Sequence, residues 1–399
     1  MSVILRDARI IDGRGDGFDR GHVMLEQNRV KKVGKGPGPG KKKGDEVVDL
    51  EGRTLLPGII DCHVHLCLDG SADPVKPLHA DSDPMVTLKA AKHGQLTLLA
   101  GVTTVRDMGA KNSVTLPLRD AVSAGIVPGS RILSSGQCIC MTGGHGWSFG
   151  READGETGVR QAVREQLKAG VDVIKLMATG GVMTPGVDPG AAQYTYEELR
   201  AGTEEAHKAG RKTASHAQGN QGIKNALRAG IDSIEHGVFL DEEAIDLFLE
   251  KKAALVPTIS APFHILEKGI KAGVPVYAVE KTRKVKQIHI ASAKKAIRAG
   301  VTVAMGTDAG TPFNSHGENL KELELLVGLG LSPMQSIVAA TGIAAEVLGW
   351  SDRIGTIEEG KLADLIVVEG DPLKDITILQ KKEKIMAVIK EGQFFRRAI

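Results

Sequence analysis

Aromatic residues are scarce: Phe, Tyr and Trp together make up 3% of the 399 residues. A binder of single-stranded nucleic acid needs aromatic platforms for base stacking, so the composition does not suit that class. An excess of charge of either sign is also missing. Lys plus Arg number 51 and Asp plus Glu 49, for a formal net charge of +2, which gives no support to nucleic acid or an anionic membrane as the main partner. No apolar run reaches the length of about 18 residues that a membrane span requires. The N-terminal MSVILRDARIIDGRG reads as a strand and turn whose charges interrupt any signal-peptide core, so the expected location is the cytoplasm. Cysteine is limited to Cys62, Cys67, Cys138 and Cys140, which form neither a C-x-x-C zinc pair nor a disulfide framework and read as small buried thiols.

Glycine, by contrast, is plentiful at 49 residues, which suits a repetitive α/β chain with many tight turns. Residues 1–56 hold short strand-like runs such as VILRDARI and GHVMLEQNRV around an exposed Gly/Pro/Lys turn at 34–44. From there the pattern becomes strand, loop, helix, repeated. Eight apolar strand candidates occur, at 58–66, 102–109, 131–136, 173–181, 213–219, 233–237, 255–260 and 303–310. Between them, stretches of helical period such as GVRQAVREQLKAG and EELRAGTEEAHKAG end in an Ala-Gly step before a strand that opens in Val or Ile. That step is a helix C-cap glycine leading into a parallel strand. Eight strands alternating with helices imply a (β/α)8 TIM barrel over 57–353. Residues 354–399 return to strands, which pairs the two termini, 1–56 and 354–399, as a small composite β-sandwich domain.

The residues that bear on chemistry cluster by position. His63 and His65 stand two apart in D-C-H-V-H on the first barrel strand, so both imidazoles face one side and can reach a single metal ion. His216 ends strand five in TASHAQG, His236 ends strand six in SIEHG, and Asp308 ends strand eight in MGTDAG. All five fall where barrel strands meet their C-terminal loops, the face that carries the active site in this architecture. Lys175 sits in the apolar strand V-I-K-L-M, where a bare ammonium is costly to bury. It either snorkels out, meets a carboxylate, or has reacted with carbon dioxide to give an anionic carbamate able to bridge two ions. His145, in the glycine-rich M-T-G-G-H-G-W loop after strand three, either contacts a substrate oxyanion or fixes its loop. Arg106 in T-V-R-D-M-G either meets a substrate carboxylate in bidentate fashion or is locked to Asp107 or another acid. The remaining histidines, at 22, 79, 93, 207, 264, 289 and 316, read as surface or packing residues.

On LPGIIDCHVHL, GVTTVRDMG, GGHG, VIKLMATGG, SHAQG, SIEHG, MGTDAG and GTIEEGKLADLIVVEGDPL, the sequence resembles the amidohydrolase superfamily, in the group of imidazolonepropionase-like proteins and Xaa-Pro dipeptidases. The resemblance implies that His63, His65 and Asp308 ligate one divalent metal and His216 and His236 a second. Lys175, carboxylated, would bridge the two. Zinc is the metal that such ligands fit. A bridging hydroxide would attack the scissile carbonyl, with Asp308 as general base and then acid and His145 on the oxyanion. Imidazolonepropionase resembles a one-metal member without the bridging lysine, so Lys175 points to the two-metal group. Gln218 stands where some dipeptidase relatives carry a tyrosine, and with Arg106 and His145 it is a candidate substrate contact. The resemblance further implies a homo-oligomer.

The expected activity is hydrolysis of an amide bond in a small molecule, a dipeptide or an N-acyl amino acid. The alternatives are hydrolysis of a cyclic amide, urea or carbamate-like molecule at the same site, and a non-catalytic assembly protein on the same scaffold. Ligand identity cannot separate the first two, because specificity resides in the loops. The loop 181–198, long and rich in Gly and Pro, is expected to shape or cover the pocket.

Overall fold

The computed structural model describes residues 2–399, which divide into two compact units. One comprises the stretch ending at Asp61 together with Gln95–Thr104 and Gly317–Ile399; the other comprises Cys62–Gly94 and Val105–His316. Among the described residues, no helix is long and apolar enough to cross a membrane.

In the first unit, strands from both termini share one eight-stranded sheet. Ser2–Ile11 lies at its centre, antiparallel to Gly17–Glu26 and parallel to Glu46–Asp49 and Thr54–Pro57. The C-terminal Leu365–Val368 pairs antiparallel with Thr54–Pro57, and Ile385–Lys390 and Gln393–Arg397 extend the sheet from there. Leu5, Ile10, Val23, Leu55, Leu365, Val367 and Ile389 bury its apolar side, so one core cannot form without both ends of the chain.

The barrel is built from eight parallel segments in chain order. The first three strands, Ile59–Val64, Val102–Asp107 and Arg131–Ser134, lie side by side. The fourth to seventh, Val173–Met177, Lys212–Ala217, Ser233–His236 and Ala254–Val256, continue the parallel order. The Asp172 N–H donates to Ser134 O at 2.9 Å and joins the third strand to the fourth. The eighth segment closes the ring through parallel bridges of Val303 with Leu255 and of Ala309 with Val64. Each of the eight segments coincides with its expected range, the fifth and seventh starting one residue earlier, at Lys212 and Ala254. The first, second and fourth strands are buried at every position, as a parallel sheet covered on both faces requires.

The helices start and stop where their sequences dictate. Helix Tyr196–Lys208 opens on a capping box in which Thr195 accepts from the Glu198 N–H and Glu198 from the Thr195 N–H. The Ala-Gly steps are the stop signals: Gly170, Gly210, Gly230 and Gly300 all adopt positive φ, which frees the chain to turn into the next strand. All four cysteines are buried free thiols.

Candidate metal centre

Alternation along the first strand delivers His63 and His65 to the same side, and the neighbouring eighth segment brings Asp308 between them. Asp308 Oδ1 lies 3.4 Å from Nε2 of each imidazole, and the three ligand atoms fall within 4.8 Å of one another. His236 stands 5.2 Å from His63, ring centre to ring centre, and His216 stands 4.5 Å from His236. Lys175 lines the same floor. The structure thus brings together all six residues expected as ligands, in a cavity of about 410 Å³.

Hydrogen bonds fix which nitrogen of each imidazole is free. His63 Nδ1 donates to Glu235 Oε2 at 2.7 Å and His65 Nδ1 to Gly109 O at 2.9 Å, which makes Nε2 of each ring the unprotonated nitrogen, turned toward Asp308. The Thr258 hydroxyl donates to Pro257 O, so His236 Nδ1 must donate to Thr258 Oγ1 at 2.6 Å, and its Nε2 is the unprotonated nitrogen. His216 Nε2 donates to Gly180 O at 2.9 Å, leaving Nδ1 as the available atom. Burial keeps these rings neutral: it pushes His65 down to about 4 and His63, His216 and His236 well below the ordinary imidazole value, Lys175 lowering all four further. Neutral imidazoles with oriented lone pairs are what a divalent ion binds.

Lys175 supplies the second indication of fit. It is 1% exposed, and among the described residues no group accepts a hydrogen bond from its Nζ. An unpaired buried ammonium is expensive, and burial lowers its pKa to about 8, with Arg106 adding to the effect and Glu235 and Asp308 opposing it. The donor set therefore fits a divalent metal centre that includes this lysine.

Backbone strain marks the same rim. His236, Thr258 and Asp308 adopt φ of 73°, 51° and 59°, positions that cost a non-glycine residue about 1–3 kcal/mol each. The left-handed turn at His236 explains why Glu235 and His236, adjacent on one strand, both reach the interior.

Glu235 is the functional residue that strand alternation hides. Fully buried, it accepts from His63, from the Ser233 hydroxyl at 2.7 Å and from Arg106 Nη2 at 2.9 Å. Arg106 also donates through Nε to Cys62 O at 2.6 Å and through Nη1 to Ser233 Oγ at 3.0 Å. Of the two arrangements open to Arg106, the structure has the ion pair, with Glu235 rather than Asp107 as the acid, and the guanidinium is not part of the cavity wall. Asp107 instead accepts from the Leu66 N–H and the Thr115 hydroxyl.

His145 and Gln218 do line the cavity. The His145 ring lies 4.2 Å from that of His216, and its Nδ1 is 2.8 Å from Thr184 Oγ1. That oxygen also accepts the Gly146 N–H at 3.4 Å, so one hydroxyl holds both the His145 ring and its loop. Gln218 holds the Thr179 hydroxyl through its backbone N–H, and its buried Oε1 has no partner among the described residues. The outer wall is apolar, with Phe149, Val182, Met183, Pro185, Ile265 and Val285. Of the other histidines, His93 and His316 stack at 4.5 Å and accept packing roles against Leu66 and Leu68.

With a His-His-Asp cluster at the C-terminal ends of its barrel strands, the chain is, by the family and relatives that it matches, a hydrolase acting on carbon–nitrogen bonds. The chain belongs to the amidohydrolase family, whose pattern it matches over residues 54–395. It is 32% identical to an ochratoxinase of Aspergillus niger over 376 residues, which cover 86% of this chain and 76% of that one. Among solved structures it is similar to a Xaa-Pro dipeptidase with methionine bound in the active site, at 34% identity and a TM-score of 0.91, covering 99% of this chain and 100% of that one. A prolidase complexed with N-methylphosphonate-L-proline matches at 29% identity and a TM-score of 0.91 over the full length of both chains.

Proposed function

We propose that the chain is a binuclear metal-dependent hydrolase that cleaves the amide bond of a dipeptide or an N-acyl amino acid. One observation carries this reading: four neutral imidazoles with oriented lone pairs, a carboxylate and an unpaired buried lysine share the floor of one apolar cavity. His63, His65 and Asp308 would hold one ion, and His216 and His236 the second. Lys175 would serve as a carbamate, formed when its neutral amine adds carbon dioxide and releases a proton, and would offer an anionic oxygen to each ion. Zinc suits this mixture of imidazole and carboxylate donors. Bound there, the ions would supply Lewis acidity at the scissile carbonyl and lower the pKa of water.

The chain's own groups do the rest. Asp308, poised between His63 and His65, takes a proton from the attacking water and delivers it to the leaving amine. His145 donates from Nε2 to the carbonyl oxygen, a bond that strengthens as negative charge develops there. Gln218 Oε1 is placed to accept from a substrate N–H. The wall of Phe149, Val182, Met183, Ile265 and Val285 excludes water and takes an apolar side chain or acyl group. Arg106 stays beneath the floor, where its charge orders Glu235 and, through it, His63. Similarity to an ochratoxinase, a dipeptidase and a prolidase supports an amide substrate.

The test is metal content per chain, measured alongside hydrolysis of a library of dipeptides and N-acyl amino acids. Two equivalents of metal, activity lost to chelator and restored by zinc are expected. Lys175→Ala should lose both metal and activity and recover part of each with short carboxylic acids. Full activity in that variant, or indifference to chelation, would overturn the reading.

A further inference from the structure

The helix Val276–Ala299 meets the loop that follows the fourth barrel strand along a single stripe. Tyr277, Lys281 and Val285 recur every four residues and so occupy one face. Val285 and Tyr277 line the cavity, and the Tyr277 hydroxyl donates to Met183 O at 3.2 Å. Lys281 Nζ donates to Thr184 O at 2.6 Å, to Gly181 O at 3.5 Å and to Val187 O. An ammonium has three donors, and here each finds a carbonyl of the same loop. Apolar contact reinforces the junction, since Val182 and Met183 pack on Ile265, Val274, Ala278 and Val279.

The loop so gripped carries Thr184, whose hydroxyl holds the His145 ring through Nδ1 and the Gly146 N–H. We infer that Lys281 is a positioning residue: its ammonium latches residues 181–187 to the helix and, through Thr184, holds the His145 donor in the pocket. The catalytic use of His145 rests on the function proposed above; the latch does not. An isolated turn of chain with Gly181, Pro185 and Gly186 has little to order it, and charge-assisted bonds from a partly buried lysine are the strongest contacts that the loop makes with the helix. Loss of the ammonium therefore frees the loop before it disturbs the barrel.

Lys281→Met keeps the aliphatic stem and removes the three donors. Hydrogen exchange of the full-length metal-loaded protein should become faster by about tenfold or more across 181–187, with the barrel strands unchanged. The ¹⁵N signals of the His145 ring should shift as its bond to Thr184 is lost, and kcat should fall more than KM rises. Thr184→Val separates the links: the His145 ring signals should shift while the loop stays protected. Lys284→Met, an exposed lysine of the same helix, should alter neither, and Lys281→Arg should restore part of the protection. Unchanged exchange and unchanged His145 ring signals in Lys281→Met would overturn the inference. A loop that loosens as expected in a protein that hydrolyses no amide would refute the proposed function alone and leave the latch standing.

Discussion

At the scale of single residues, the centre depends on a carboxylate that touches no substrate. Glu235 joins His63 to Arg106, and all three are essentially without solvent contact. A buried ion pair is weak evidence for stability as a pair, but removing one partner strands the other's charge, at about 3–5 kcal/mol. Glu235→Gln keeps the shape and an acceptor oxygen while leaving Arg106 uncompensated. Two effects are expected: a clear drop in thermal stability, and a loss of about 10–100-fold in affinity at the site that His63 serves, because its Nδ1–H is no longer held by an anion. Metal titration of the stripped protein, read beside a thermal melt, checks both. Unchanged affinity would mean that strand geometry alone orients His63.

At the scale of elements, how much could be read from the sequence followed from how local the signal was. The H-x-H pair needs only the two-residue period of a strand, and His216, His236 and Asp308 needed only their place at strand ends. The Ala-Gly helix stops were legible for the same reason, and each is a left-handed glycine. The eighth strand, expected over 303–310, forms parallel bridges at Val303 and Ala309, with hydrogen bonds such as Cys62 N–H to Met305 O between them, and Asp308 leaves extended geometry beside His63 and His65. Glu235 was hidden because alternation sends it away from its neighbour His236, and only the left-handed turn at His236 reverses that. The partner of Arg106 lies 129 residues away, and Lys281 finds Thr184 at a separation of 97, so no local pattern announces either. Gly181 offers a sharper case, since its φ is ordinary and its role is space alone. A Cβ there would lie 2.5 Å from the His145 ring, so Gly181→Ala must displace the imidazole. Metal content should be retained while kcat falls by about 10²-fold, the scale at which a misplacement near 1 Å acts. Steady-state kinetics with metal analysis decides it, and unaltered kcat would remove His145 from the reaction.

At the scale of the whole molecule, so many buried neutral imidazoles set how stability responds to acid. Burial pushes His65 and His289 down to about 4 and His145 and His316 to about 3, with His63, His216 and His236 well below the ordinary value. In the unfolded chain the same rings titrate near 6.5, so between that pH and about 4 the unfolded state binds protons that the folded state refuses. Their contribution is fully present above pH 6.5 and is lost progressively as the pH falls below it. Asp107 acts in the opposite direction. Burial raises it to about 7, so it is protonated in the fold over a range where the unfolded carboxyl is ionised, and its contribution is lost as the pH rises toward 7. One carboxyl against seven imidazoles leaves the histidines in control. The metal-free protein should therefore melt at progressively lower temperature from pH 7 to pH 5. The metal-loaded protein should show a steeper dependence still, because binding requires the same rings to be deprotonated. Calorimetric melts of both forms across that range read the sign directly. A melting temperature that stays level or rises on acidification would mean that the rings are protonated in the fold, which would leave no neutral ligand set for a metal to bind.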